Sequence, residues 1–76
     1  MEKIKAKKIL KELYTHNILR VLGYSAKINN DIDIEITQNI FSEVAIEICS
    51  GVAKHNGCSY FITNSDNGLL LTIYDL

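Results

Sequence analysis

The 76-residue chain contains no proline and no low-complexity stretch. It therefore has no Pro-rich linker, and a single domain spanning residues 1–76 is expected. Apolar runs are short, the longest reaching three residues, as in Leu69-Leu70-Leu71. A membrane-crossing helix takes about 20 apolar residues, so no membrane span is expected. The basic start, Met1-Glu2-Lys3-Ile4-Lys5, is not followed by an apolar block. No secretory signal is expected, and a cytoplasmic location is the simplest reading. Cysteine is scarce too. Cys49 and Cys58 are too few for a disulfide framework, and both are expected to be reduced. A domain this small without covalent staples draws little stability from one core, so a homodimer is expected. Gly51, Gly57 and Gly68 are too scattered to form a phosphate-cradling loop.

What the chain does have is a globular balance, with 47% hydrophobic and 22% charged residues. Its net charge of −1 conceals a division along the sequence. Residues 1–27 carry Lys3, Lys5, Lys7, Lys8, Lys11, Arg20 and Lys27 against Glu2 and Glu12, a balance of +5. Residues 28–76 carry Lys54 against Asp31, Asp33, Glu35, Glu43, Glu47, Asp66 and Asp75, a balance of −6. Such a split bears on partners more than on fold.

Residues 3 to about 22 have the spacing of an amphipathic helix. Ala6, Ile9, Leu10, Leu13, Asn17, Val21 and Leu22 share one face, and Gly23 is a natural stop. Ile28 to Thr37 alternates, with Ile32, Ile34 and Ile36 on one side and Asp31, Asp33, Glu35 and Thr37 on the other. Period two marks a half-buried strand. Residues 40–55 read as a second helix with the stripe Phe41, Val44, Ala45, Ile48 and Val52, capped by Asn39 and ended by Asn56-Gly57. Residues 58–64 and 69–76 then form a β-hairpin around Ser65-Asp66-Asn67-Gly68. The expected fold is a two-layer α+β domain of order α-β-α-β-β. Its three-stranded mixed sheet has two helices on one face and the most apolar strand, Leu69 to Leu76, at the centre. The first strand, second helix and second strand make a right-handed crossover. Leu19 and Ile46 fall off the helix stripes, leaving surplus apolar surface.

Three constellations compete for a function. The sheet face away from the helices is expected to carry Phe61, Leu70 and Tyr74 beside Asp31, Asp33 and Glu35, although Tyr60 could face outward in place of Phe61. Carboxylates on alternate strand residues lie about 6.6 Å apart, too far to share a proton. The plain reading is a solvated face, and the sharper one is a surface that binds another protein. The first helix presents Lys3, Lys7, Lys8 and Lys11, with Arg20 further along, which would suit nucleic-acid phosphates. Cys49, His55 and Cys58, spaced C-x5-H-x2-C, are the best metal or thiol candidate, but no fourth ligand stands out. No catalytic residue, metal site or cofactor is assigned. The reading this favours is a non-enzymatic interaction protein, an inhibitor or adaptor of the economical kind that phages and mobile elements encode. It would bind through Asp31, Asp33, Glu35, Phe61, Leu70 and Tyr74. A nucleic-acid-binding protein and a thiol- or metal-dependent small enzyme are the alternatives.

Overall fold

The computed structural model describes residues 1–15, 25–36, 43–66 and 68–76. Two helices and four strands follow in the order α1 (Lys3–Thr15), β1 (Ser25–Ile28), β2 (Ile32–Ile36), α2 (Glu43–His55), β3 (Cys58–Ser65) and β4 (Gly68–Asp75). The expected α+β class holds, with two corrections. The sheet has four strands rather than three, in the order β1-β2-β4-β3, and every neighbouring pair is antiparallel rather than mixed. The connectivity is thus a helix followed by a hairpin, twice over. β4 lies between β2 and β3, as its apolar character implied, so β2 and β3 run in the same direction with one strand between them.

The extra strand comes from the segment read as one continuous strand from Ile28. The chain turns at Asn29-Asn30-Asp31, with the Asn29 N–H donating to the Asp31 carbonyl at 2.8 Å. Short polar residues of this kind favour turns. Ile28 then pairs with Ile32 and Ala26 with Ile34. The proposed cap at Asn39, the stripe residues Asn17, Val21, Leu22 and Phe41, and Leu19, Gly23 and Thr37 lie outside the described residues.

Both helices cover one face of the sheet. α1 buries Ala6, Ile9 and Leu13, spaced at one helical face, against β1 and α2. α2 lies over β3 and β4 and buries Ala45, Cys49, Val52 and Ala53. Small side chains let the helix approach the sheet closely. Of the expected stripe, Ala45 and Val52 are buried and Ile48 partly so, but Val44 is 53% exposed, while Ile46, read as off the stripe, is partly buried against the core. Ile32, Ile34, Leu71 and Ile73 complete the interior from the sheet side and are fully buried. No helix among the described residues is long and apolar enough to cross a membrane.

α2 carries Glu43 in its first turn and Lys54 and His55 in its last, as the helix dipole favours. It ends where Gly57 takes φ +69°, its N–H donating to the Lys54 carbonyl at 3.1 Å. Gly51 sits within the helix, and a Cβ there would meet nothing within 4 Å. The two glycines therefore predict opposite outcomes. Gly51→Ala stabilises by about 0.5–1 kcal/mol through helix propensity. Gly57→Ala destabilises by about 1–2 kcal/mol, because a side chain strains the left-handed backbone. Urea unfolding of the two variants checks this, and shifts of the same sign would contradict it.

Candidate functional site

Strand parity builds the surface opposite the helices. Because Leu71 and Ile73 point into the core, Leu70, Thr72 and Tyr74 of β4 point away from it. On β2 the same parity turns Asp33 and Glu35 outward, since Ile32 and Ile34 are buried. On β3, Tyr60 pairs with Ile73 and packs against the core, so Phe61 is the outward residue and is 46% exposed. The structure thus brings Asp33, Glu35, Phe61, Leu70 and Tyr74 onto one open face, with Lys27 of β1 at its margin.

The register sets their layout. Lys27, Asp33, Thr72 and Phe61 form one row across the four strands, and Glu35, Leu70 and Thr63 form the next. The Thr72 hydroxyl donates to Asp33 Oδ1 at 3.0 Å. Thr72 is only 7% exposed, although it lies on the open face. The Phe61 and Tyr74 rings lie 5.5 Å apart at 52°, a tilted aromatic pair. Asp31 is not a member of the strand. It falls in the turn before β2, and its Oδ1 lies 3.7 Å from the N-terminal nitrogen.

The other candidates are placed as follows. Lys3, Lys7, Lys8 and Lys11 are all exposed on α1, and Arg20 lies outside the described residues. Lys5 instead pairs with Asp75 at the end of β4. That hydrogen bond raises the Lys5 pKa and lowers that of Asp75. Cys49 is fully buried, and burial pushes its thiol up to about 11. Cys58 is also buried. Its thiol is raised, chiefly by burial and then by its contact with Asp75, whose Oδ1 lies 3.5 Å away. A free nucleophilic thiolate needs the opposite shift. His55 is 72% exposed and turns to Glu12, not to either cysteine, with Nδ1 3.0 Å from Oε1. Among the described residues, no three His, Cys, Asp or Glu side chains converge in a metal-binding arrangement.

One feature had no counterpart in the sequence reading. A groove of about 430 Å³ runs along the helix layer, lined by Glu12, Glu47, Ile48, Gly51, Val52 and His55. Glu12 ties α1 to the end of α2 there, accepting a hydrogen bond from Asn56 Nδ2 at 2.8 Å. That bond is the main cause that lowers the Glu12 pKa; burial opposes it, and the His55 contact adds to it. The signal in the sequence was Glu12 itself, a lone acid among the lysines of the first helix. Comparisons with family models, with curated proteins and with solved structures give no match to this chain.

These contacts predict how stability follows pH. Glu12 and Asp75 have folded pKa values below their unfolded ones. Their stabilisation is present above the unfolded value and is lost as pH falls through the folded one. Lys5 and the two thiols are raised, so theirs is present below the unfolded value and is lost as pH rises through the folded one. Urea midpoints measured across pH should drop at both ends. Glu12→Gln should flatten the acid limb, and Lys5→Gln should flatten part of the alkaline limb.

Proposed function

We propose that this chain is a non-enzymatic interaction module, an inhibitor or adaptor that binds another protein through the open face of its sheet. One observation carries the reading. Phe61, Leu70 and Tyr74 make an apolar strip on a face that neither helix covers, bordered by the carboxylates of Asp33 and Glu35. A strip of this kind costs free energy in water and gains it on contact. The Cα trace measures 29 × 23 × 16 Å. Its broad face is of the order of the roughly 800 Å² that a standard interface takes from each partner. Aromatic anchors at the centre supply affinity, and the acidic border selects a partner with a basic margin. Covering a partner's working surface needs no chemistry from the module itself. Asp31 belongs to the hairpin tip in this reading, and Asp33 and Glu35 carry the charged rim.

The test is affinity capture compared across variants. Phe61→Ala combined with Leu70→Ala should weaken the complex by roughly a hundredfold, the scale of a hot-spot loss. Glu35→Lys should slow association and reduce its salt dependence. Capture that survives the double alanine variant unchanged overturns the reading.

A second reading rests on the lysines. Lys3, Lys7 and Lys11 recur every four residues along α1, are exposed, and make no ion pair among the described residues. Such a row can follow a phosphate backbone. It predicts binding of duplex or single-stranded nucleic acid at low salt, falling steeply as salt rises. Charge reversal of these lysines should abolish it, and no binding at low salt removes this reading.

A further inference from the structure

The two edges of the sheet are built differently. β1 is four residues long and carries Lys27. β3 is eight residues, Cys58-Ser59-Tyr60-Phe61-Ile62-Thr63-Asn64-Ser65, with no charge and no proline. β3 is also the outermost strand, so among the described residues one side of its backbone pairs with β4 and the other with nothing. Phe61 and Ile62, at its middle, are 46% and 39% exposed. Natural edge strands are normally guarded by charge, proline or brevity, because unpaired N–H and C=O groups recruit another strand. β1 has such guards and β3 has none.

We infer that β3 is the seam of a homodimer, in which the β3 strands of two copies pair antiparallel about a two-fold axis at Phe61. The occupant follows from self-complementarity. With Phe61 opposite its own copy, Tyr60 meets Ile62, Ser59 meets Thr63 and Cys58 meets Asn64. Apolar faces apolar at Tyr60–Ile62 and polar faces polar at Ser59–Thr63, the unlike pair Cys58–Asn64 falls at the ends, and no like charges oppose one another. A register displaced by one residue at Ile62 would set Phe61 against Thr63 and Tyr60 against Asn64. Each residue in the Phe61 register meets one of equal parity, so the helices of both copies stay on the same side. The result is one eight-stranded sheet, closed to further growth because its two outer edges are the guarded β1 strands. The seam meets the partner surface proposed above at Phe61, and it would join two such faces side by side.

Sedimentation across a wide concentration range tests the seam. The wild type should pass from 8.6 kDa to twice that mass as concentration rises. Ile62→Lys, which lies on the helix side of β3 and outside the partner surface, should stay at 8.6 kDa. Its circular dichroism should be unchanged, because a lysine stem can cover the apolar surface that isoleucine covered. Register is read independently by cross-linking. Facing residues on the axis have Cα atoms about 4.5–5.5 Å apart, within disulfide reach. Phe61→Cys should therefore give a covalent dimer under mild oxidation. Thr63→Cys should not, since its copy lies about 13 Å away along the strand. A wild type that remains monomeric at every concentration overturns the proposal. So does a dimer that survives Ile62→Lys, or one that is lost instead in Ile48→Lys on the groove of α2.

Discussion

The antiparallel pairing of β2 with β4 is the contact on which the rest of the molecule depends. Each half of the chain is a helix and a hairpin, and an isolated hairpin is marginal in water. Only β2 against β4 joins the two halves into one sheet. Across that seam Ile32 faces Ile73 and Ile34 faces Leu71, all four fully buried. Burial of each such side chain is worth about 1.5–3 kcal/mol, so this one contact supplies a large part of the core. The same register fixes the other side of the sheet. Asp33 is set beside Thr72 and Glu35 beside Leu70 because their neighbours are buried. A slip of one residue would send the isoleucines to solvent and the carboxylates into the core, so core and open face are specified together.

Much of this was legible in the sequence, for physical reasons that differ by element. Alternation exposed Ile32 and Ile34, and the polar run from Ser65 to Gly68 marked the hairpin. The apolar density of Leu69 to Tyr74 placed that strand inside the sheet. Those features put Leu70 and Tyr74 on the face of Asp33 and Glu35 and left Phe61 and Tyr60 as alternatives beside them, which the pairing of Tyr60 with Ile73 decides. The missing strand was hidden by arithmetic. A three-residue turn separates Ile28 from Ile32 by four positions, an even number, so the two isoleucines keep one phase and only Asn30 interrupts the period-two pattern. Ser25 to Ile28 also has little strand propensity of its own, and pairing with β2 imposes its conformation. Val44 was misplaced because a hydrophobic count favours large residues, whereas close approach to the sheet selected Ala45, Cys49 and Ala53. Cys49, His55 and Cys58 are near in sequence, but the end of α2 turns His55 outward while both thiols face the interior.

The charge division along the chain separates the lysines of α1 from the carboxylates of β2, although Glu43 and Glu47 share the helix layer and Lys27 the open face. Lys3, Lys7, Lys8 and Lys11 lie on the outer surface of the helix layer, and Asp33 and Glu35 lie on the far side of the sheet. Charged side chains also bind one element to another. Lys5 reaches Asp75, holding α1 to the end of β4, and Glu12 reaches the end of α2. The groups with displaced pKa values, Lys5, Glu12, Cys49, Cys58 and Asp75, all lie in these ties or in the core beneath them. Of these, Lys5 and Asp75 tie α1 to the sheet and Glu12 ties the two helices together, whereas the open face is built from apolar and acidic side chains.

The consequence for binding lies in how the two outer surfaces are kept apart. A sheet covered on one face only must present its reverse to water, which usually favours polar residues at every outward position. Here Thr72 meets that demand by bonding to Asp33, and its low exposure shows that its neighbours close over it. Phe61, Leu70 and Tyr74 do not meet it, and no contact within the described chain uses them fully. The edge of β3 has the same character, with backbone groups that the sheet leaves unpaired. Face and edge converge at Phe61, whose ring lies on the face and whose neighbours Tyr60 and Ile62 carry the edge-facing backbone groups. A protein that joins edge to edge at this residue would place two Phe61 rings at the centre of a single continuous face. A partner would then meet one platform in place of two separate patches, and engaging both halves would strengthen binding through effective concentration without any new contact.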